Sequence, residues 1–249
     1  MNKSLLFLVC ICCLRGCSRP EAALEPESTD LTVLQPIAAI DLAPNIPEPS
    51  GLAFNRKNNT LMVVSDAKSD IFEIDFSGSI KNKIATTSTD LEGVAITQNG
   101  DTLYVVEERN QRVVSYAQNG QRLNSITVRV ATSDNSALEG IAIDNRRHLF
   151  VLNEKSPRLL LEFVGSAEVS RKEITAVKDL SGICYDESND GLWIISDESQ
   201  KIISISKTGI LLGEWLVPFD KGEGIAFANG KMYIVNDDDG KLYVFDVPS

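Results

Sequence analysis

Short apolar runs return at a fixed spacing along this chain, and the clearest of them opens on a glycine with an acid just before it. It stands as Leu91-Glu92-Gly93-Val94-Ala95-Ile96, then as Leu138-Glu139-Gly140-Ile141-Ala142-Ile143, and again as Gly222-Glu223-Gly224-Ile225-Ala226-Phe227. Two variants carry serine in place of glutamate: Ser50-Gly51-Leu52-Ala53-Phe54 and Ser181-Gly182-Ile183-Cys184-Tyr185. Successive glycines lie 42, 47, 42 and 42 residues apart. A period of this size marks a repeat architecture, in which each repeat is one supersecondary unit that buries its apolar face only against its neighbours.

Each unit carries four apolar runs. In the first these are Leu52 to Phe54, Leu61 to Val64, Ile71 to Ile74 and a run near Ile80 to Ala85. Turn residues separate them. Asn99-Gly100 and Asn119-Gly120 punctuate the second unit, Asp190-Gly191 and Thr208-Gly209 the fourth, and Asn229-Gly230 the fifth. Asn-Gly between strand-forming residues signals a hairpin, because both turn positions need a positive φ. The pattern therefore predicts four-stranded antiparallel meanders repeated around a ring, an all-β β-propeller of five four-stranded blades. The fifth unit ends after three strands, at Tyr243-Val244-Phe245. The run Ile37 to Leu42 is expected to supply its missing outer strand and so close the ring. The glycines are assigned to close backbone approach on the narrow axis rather than to chemistry.

The strand order also places the acids. In a meander, the start of the first strand and the end of the second share one edge of the blade. The second runs end at Ser65-Asp66, Glu107-Glu108, Asn153-Glu154, Ser196-Asp197 and Asn236-Asp237. Together with Glu92, Glu139 and Glu223 at the innermost strands, these acids should face one mouth of the central channel. Carboxylates gathered this way must hold protons, pair with bases or bind a cation. The expected bases are Lys68, Arg109, Lys155 and Lys201. The expected ion is Ca²⁺ or Mg²⁺, since hard cations take carboxylate and amide oxygens. The candidate ligands are Glu92, Glu139, Glu223, Asp66, Glu108, Glu154, Asp197, Asp237 and the neutral Asn236, with Asn153 similar in kind. Two local look-alikes are set aside: Asp186 to Gly191 coincides with a hairpin turn, and Asp237-Asp238-Asp239-Gly240 with the turn before a third strand.

Composition narrows the function. The net charge is −11, with 24 Lys and Arg against 35 Asp and Glu, the opposite of a nucleic-acid footprint. There is one histidine, His148, so multi-histidine zinc sites and Ser-His-Asp chemistry are not expected. No G-x-S-x-G, P-loop or dinucleotide fingerprint occurs. Of the five cysteines, Cys10, Cys12, Cys13 and Cys17 lie at the start and only Cys184 in the repeats, where a buried inert thiol is expected.

That start reads as an address rather than as fold. Lys3 precedes the apolar run Leu5 to Leu14, and Leu14-Arg15-Gly16-Cys17 resembles the bacterial lipobox, although Arg15 replaces the usual small residue. Residues 1–17 are thus expected to be a lipoprotein signal ending at a lipidated Cys17, 18–32 a flexible tether, and 33–249 the propeller. Ser18 after the cysteine leans towards the outer membrane, with the propeller facing the periplasm.

The recurring strings Glu48 to Ala53, Asp90 to Ala95 and Asp179 to Ile183, with Leu103 to Glu108 and Trp193 to Glu198, resemble the SdiA-regulated, YjiK/CarP-like family over about Leu34 to Val247. The resemblance implies a membrane-associated, periplasm-facing β-propeller, with some relatives calcium-responsive and phytase-like. It supplies no catalytic residues to carry over. The Lys/Arg phosphate cluster of the alkaline phytases is not found in this sequence. The expected role is a binding module for a divalent cation, and through it a small molecule or an envelope protein. The alternatives are a metal-dependent hydrolase of phosphate esters or lactones, and an ion-free interaction scaffold.

The lipid expectation has a direct check. Cys17→Ser should abolish incorporation of a labelled fatty acid and move the protein from the membrane to the soluble fraction of lysed cells.

Overall fold

The computed structural model describes residues 31–42, 44–130 and 137–248. The expected leader, Cys17 and most of the tether lie outside the described residues. The ring opens with β1 (Ala38–Asp41). The first blade is β2 (Pro49–Asn55), β3 (Thr60–Ser65), β4 (Asp70–Ile74) and β5 (Ile80–Ala85). The second is β6 (Leu91–Ile96), β7 (Thr102–Glu107), β8 (Arg112–Ala117) and β9 (Arg122–Thr127). The third is β10 (Leu138–Ile143), β11 (His148–Asn153), β12 (Leu159–Val164) and β13 (Ala167–Glu173). The fourth is β14 (Ile183–Asp186), β15 (Gly191–Ser196), β16 (Lys201–Ser206) and β17 (Leu211–Leu216). The fifth holds β18 (Gly222–Ala228), β19 (Lys231–Asn236) and β20 (Lys241–Asp246).

Each blade is an antiparallel meander, and the fifth is completed by β1, in the order β1-β20-β19-β18. The register runs from Ala38 opposite Val244 to Asp41 opposite Lys241. This is the closure the sequence predicts, and it leaves no free edge at the seam. Just upstream, Val33 forms a parallel bridge with Leu216, so the entering chain also touches the outer strand of the fourth blade. The turns take their expected backbone: φ is 72° at Gly100, 80° at Gly120, 50° at Asp190 and 51° at Asn229.

Apolar side chains bury themselves between blades rather than within them. On β3, Leu61 and Val63 pack into a cluster shared with the fifth blade, including Tyr233, Val235 and Leu242. Their alternates Met62 and Val64 join Val94, Leu103, Val105 and Tyr116 of the second blade. The strand is therefore buried along its whole length, and its hidden period of two reads in sequence as a continuous apolar run. Each such Val, Leu or Ile contributes about 1.5–3 kcal/mol relative to exposure. Outer strands invert the rule: β5 and β9 each bury one residue, Ile84 and Ile126.

The axis is closed by glycine. A Cβ built on Gly51 would lie 2.8 Å from the Glu92 carbonyl, and one on Gly93 2.6 Å from the Glu139 carbonyl. The chain of contacts continues from Gly140 to Ser181 at 2.7 Å and from Gly182 to Glu223 at 2.0 Å. It returns to the start where Gly224 meets the Leu52 amide at 2.6 Å. These five glycines are not among the positive-φ residues, so close approach is their reason, not backbone angle.

Gly182→Ala should therefore destabilise the domain by about 3 kcal/mol or more, an overpacking against the backbone of Glu223 and Gly224 that cannot swing aside. Gly165→Ala has open space around it but a φ of +61°, and should cost only about 1–2 kcal/mol. Denaturant titration of both variants checks the order.

Candidate functional site

Three repeat positions meet at one end of the channel. The first precedes the axial glycine: Ser50, Glu92, Glu139, Ser181 and Glu223. A β-bulge sets its aim. Leu91 pairs with Glu107 and Gly93 with Val106, so Glu92 is the extra residue. Ser50 is likewise extra between the Pro49–Ser65 and Gly51–Val64 pairs, and β10 and β18 shift register at the same place. Bulges re-aim a side chain locally, and here the repeat uses them on the channel wall.

The second position follows the second strand of each blade: Asp66, Glu108, Glu154, Asp197 and Asp237. The third lies three residues before each glycine: Glu48, Asp90, Ala137, Asp179 and Lys221. Its backbone ties it to the second. The amides of Asp66, Glu108, Glu154 and Asp237 donate to the carbonyls of Glu48, Asp90, Ala137 and Lys221 at 3.2, 3.1, 2.9 and 3.0 Å. Glu48, Asp90 and Lys221 hold φ values of 46°, 62° and 58° to make this bond. Left-handed non-glycine residues are strained, and their recurrence at one repeat position places that strain on the mouth.

The result is a cavity of about 160 Å³ lined by Glu48, Asp66, Glu92, Glu139, Glu154, Asp179, Asp197, Glu223 and Asp237, with Ser50, Ser181 and Lys221. Among the described residues that line it, Lys221 is the one base, and it pairs with Asp197 at 3.1 Å. Beside it, ligand oxygens of Asp66, Asp90 and Glu92 lie within 4.8 Å of one another. Asp90 also accepts from the Arg109 amide at 2.9 Å and approaches its guanidinium at 3.3 Å. Lys155 bridges Glu154 and Glu198, 2.8 Å from each.

Seven acids at the mouth shift upward, burial leading in each and bases opposing it where they lie close. Burial, then the carboxylates of Asp66 and Glu108, holds Glu92 far above the usual carboxylate range. Burial, then Glu92 and Glu223, does the same to Glu139. Glu223 is pushed up to about 8 by burial and Asp197, against the pull of Lys221. Glu108 rises to about 7 through burial and Asp90. Asp66, Glu154 and Asp237 rise too, burial leading in each.

Seven of the nine expected residues line the cavity: Glu92, Glu139, Glu223, Asp66, Glu154, Asp197 and Asp237. Glu108 sits beside it rather than in its wall. Asn236 lies outside that lining: its amide donates to the Asp220 carbonyl at 2.6 Å and its oxygen accepts from the Asp239 amide at 3.1 Å, so it anchors a loop. Asn153 similarly donates to the Lys155 and Pro157 carbonyls. Lys201 turns to Glu214 on β17, away from the mouth. Asp186 accepts from Ser188, Asn189 and Trp193, the bonding of a hairpin cap. Sequence reasoning missed Glu48, Asp90, Asp179 and Lys221, although all four occupy one in-register position that the repeat itself marks. Cys184 is half-buried as a whole, while burial of its thiol group raises the thiol pKa and keeps it protonated.

Fold and site together define a five-bladed β-propeller with an acidic axial mouth. The chain belongs to the SdiA-regulated family, which it matches over residues 34–249. Among solved structures it resembles the glutaminyl cyclase of Myxococcus xanthus, at TM-score 0.66 and 14% identity, covering 87% of this chain and 98% of that one. A gluconolactonase from Xanthomonas campestris aligns at TM-score 0.55 and 10% identity, over 88% of this chain and 95% of the other. A streptogramin B lyase aligns at TM-score 0.52 and 14% identity, over 80% of this chain, which spans 65% of that enzyme's length. Identities this low speak for shared fold alone.

The raised carboxyls carry a sign. Glu223 keeps its proton to about 8 when folded, against 4.5 ordinarily, so between those values the native state holds protons that the unfolded chain has released. Stability contributed by this group is full below about 4.5 and falls as pH rises towards 8. In chelating buffer the melting temperature should therefore drop across that window. Glu223→Gln should flatten the slope and melt higher than the parent at pH near 8.

Proposed function

We propose that this protein is an envelope-anchored binding module that holds a divalent cation, Ca²⁺ or Mg²⁺, in the acidic mouth of its propeller. The observation that carries the reading is the convergence of Asp66, Asp90 and Glu92 within 4.8 Å beside a cavity whose lining offers one lysine. Burial and neighbouring carboxylates raise the proton affinity of Asp66 and Glu92, and a bound cation would take the place of those protons. The donor set fits a hard ion: carboxylates and the hydroxyls of Ser50 and Ser181, with neither thiolate nor imidazole among the described lining residues. Asp66, Asp90 and Glu92 would provide the first oxygens, with Glu139 and Glu223 deeper in the channel. A bound ion with open positions supplies a docking point for an anionic group on a small molecule or an envelope protein. A lipidated Cys17 and the tether 18–32 would hold this mouth near the membrane, facing the periplasm.

A second reading uses the same acids. A metal-dependent hydrolase, phytase-like or lactonase-like, is favoured by carboxyls of raised proton affinity beside a cation site, an arrangement suited to acid–base work. Turnover of a phosphate ester or lactone that vanishes on chelation would favour it over binding alone.

The deciding measurement is a thermal melt in EDTA, then in millimolar Ca²⁺ or Mg²⁺. An ion that binds only the native state at 100 times its dissociation constant stabilises by about 2.7 kcal/mol. At about 2–4 °C per kcal/mol for a domain of this size, the midpoint should rise by about 5–11 °C. The rise should disappear in Asp66→Asn/Asp90→Asn and in the triple Glu92→Gln/Glu139→Gln/Glu223→Gln. No shift with either cation sinks the ion reading and leaves an interaction scaffold.

A further inference from the structure

The channel has a second end, and its chemistry is the reverse of the first. Between the two, the ring of axial glycines pinches the passage to about 10 Å³. Beyond the pinch lies a chamber of about 90 Å³ to which all five blades contribute. Its walls include Ala53, Phe54, Ile143, Cys184, Tyr185 and Phe227, apolar or weakly polar side chains left half-buried around an open space. Its rim carries Arg56 and Gln98.

One carboxylate already sits at that rim. Glu187, on the first hairpin of the fourth blade, reaches across the axis to the first and second blades. Arg56 Nη1 lies 2.8 Å from its Oε2. Gln98 Nε2 donates to its Oε1 at 3.3 Å. Each oxygen of a single carboxylate thus lies against its own nitrogen, one in an ion-pair contact with a guanidinium and one in an amide hydrogen bond. The strap is easily opened. The side chains of Arg56 and Glu187 are 51% and 42% exposed, and an ion pair so open to water holds weakly.

We propose that this chamber binds a small monocarboxylate, a short-chain acid. Its carboxylate takes the place of Glu187 on Arg56 and Gln98, and its apolar body fills the space walled by Phe54, Ile143 and Phe227. Apolar side chains interrupted by exposed polar atoms make a mixed wall with a few convergent polar groups, suited to a short acid. At about 90 Å³ the chamber is smaller than the apolar cavity of about 150 Å³ known to hold benzene, so it limits the enclosed part of the ligand to a few methylenes. The neutral thiol of Cys184 belongs to the wall and adds no charge that would repel the ligand. The site is independent of the cation at the far mouth, from which the glycine pinch separates it.

Occupancy has a built-in reporter. Phe227 meets Trp193 edge-on with ring centroids 5.2 Å apart, and Trp193 stacks on Trp215 at 4.8 Å. The full chain, in nonionic detergent with chelator present, is titrated with propionate and butyrate, and with butyramide as the neutral counterpart. Binding is followed by tryptophan fluorescence and by calorimetry. Saturable carboxylate binding at millimolar concentration or below is expected, with the amide weaker by about tenfold, the loss of one charged pairing. Glu187→Gln removes the internal competitor and should tighten carboxylate binding, whereas Arg56→Gln should abolish it. Both substitutions fall on exposed turns, and an unchanged melting temperature confirms that each variant is folded. The opposite signs separate ligand recognition from a merely structural strap, whose loss from either side would act alike. The proposal is overturned if neither the parent nor Glu187→Gln binds a carboxylate, if the amide binds equally well, or if Arg56→Gln leaves binding intact.

Discussion

Everything in this molecule depends on how closely five backbones can approach one axis. At each axial glycine the absent Cβ would fall within 3 Å of the next blade's backbone, and the contact passes from blade to blade until Gly224 meets Leu52. Because the contacts form a closed cycle, no blade can withdraw without opening two interfaces. The buried clusters obey the same logic, since Leu61 and Val63 face one neighbour while Met62 and Val64 face the other. The strand β1 completes the cycle at the periphery by pairing with β20, which joins the two ends of the ring.

The same convergence concentrates charge. Any residue type that the repeat places beside the axial glycine is brought together from several blades at once. Glutamate there in three copies, next to acids that follow the second strands, yields a cavity with little basic relief. Water alone solvates such a cluster poorly, so the inner carboxyls keep their protons well above their usual range. The mouth is therefore destabilising at neutral pH unless protons or a cation remain, a local cost of the kind that functional sites retain. The pinch at the glycines leaves the other end of the channel electrostatically separate, and there the repeat presents Ala, Ile, Cys and Phe instead.

How much could be read beforehand follows from what is periodic. Five glycines at nearly equal spacing, with Asn-Gly turns between apolar runs, carry blade number, strand order and even the closing strand, because each is a local pattern repeated. The acids before the glycines and after the second strands were equally legible, as they recur in register. Glu48, Asp90, Asp179 and Lys221 also recur in register, yet their types differ from blade to blade, so no single residue advertised the position. Asn236 looked like a ligand because amide oxygens are calcium donors. Only the loop geometry shows both ends of its amide engaged.

The sequence by itself therefore determined the fold and the sign of the charge at one mouth, since these rest on spacing and residue type. Tertiary structure alone decided which acids share a cavity, because bulges and left-handed residues aim side chains in ways that no period encodes. It also decided the carboxylate cradle of Arg56, Gln98 and Glu187. Those residues lie on hairpins of three different blades and become neighbours only when the ring closes and sets opposite blades face to face across the axis.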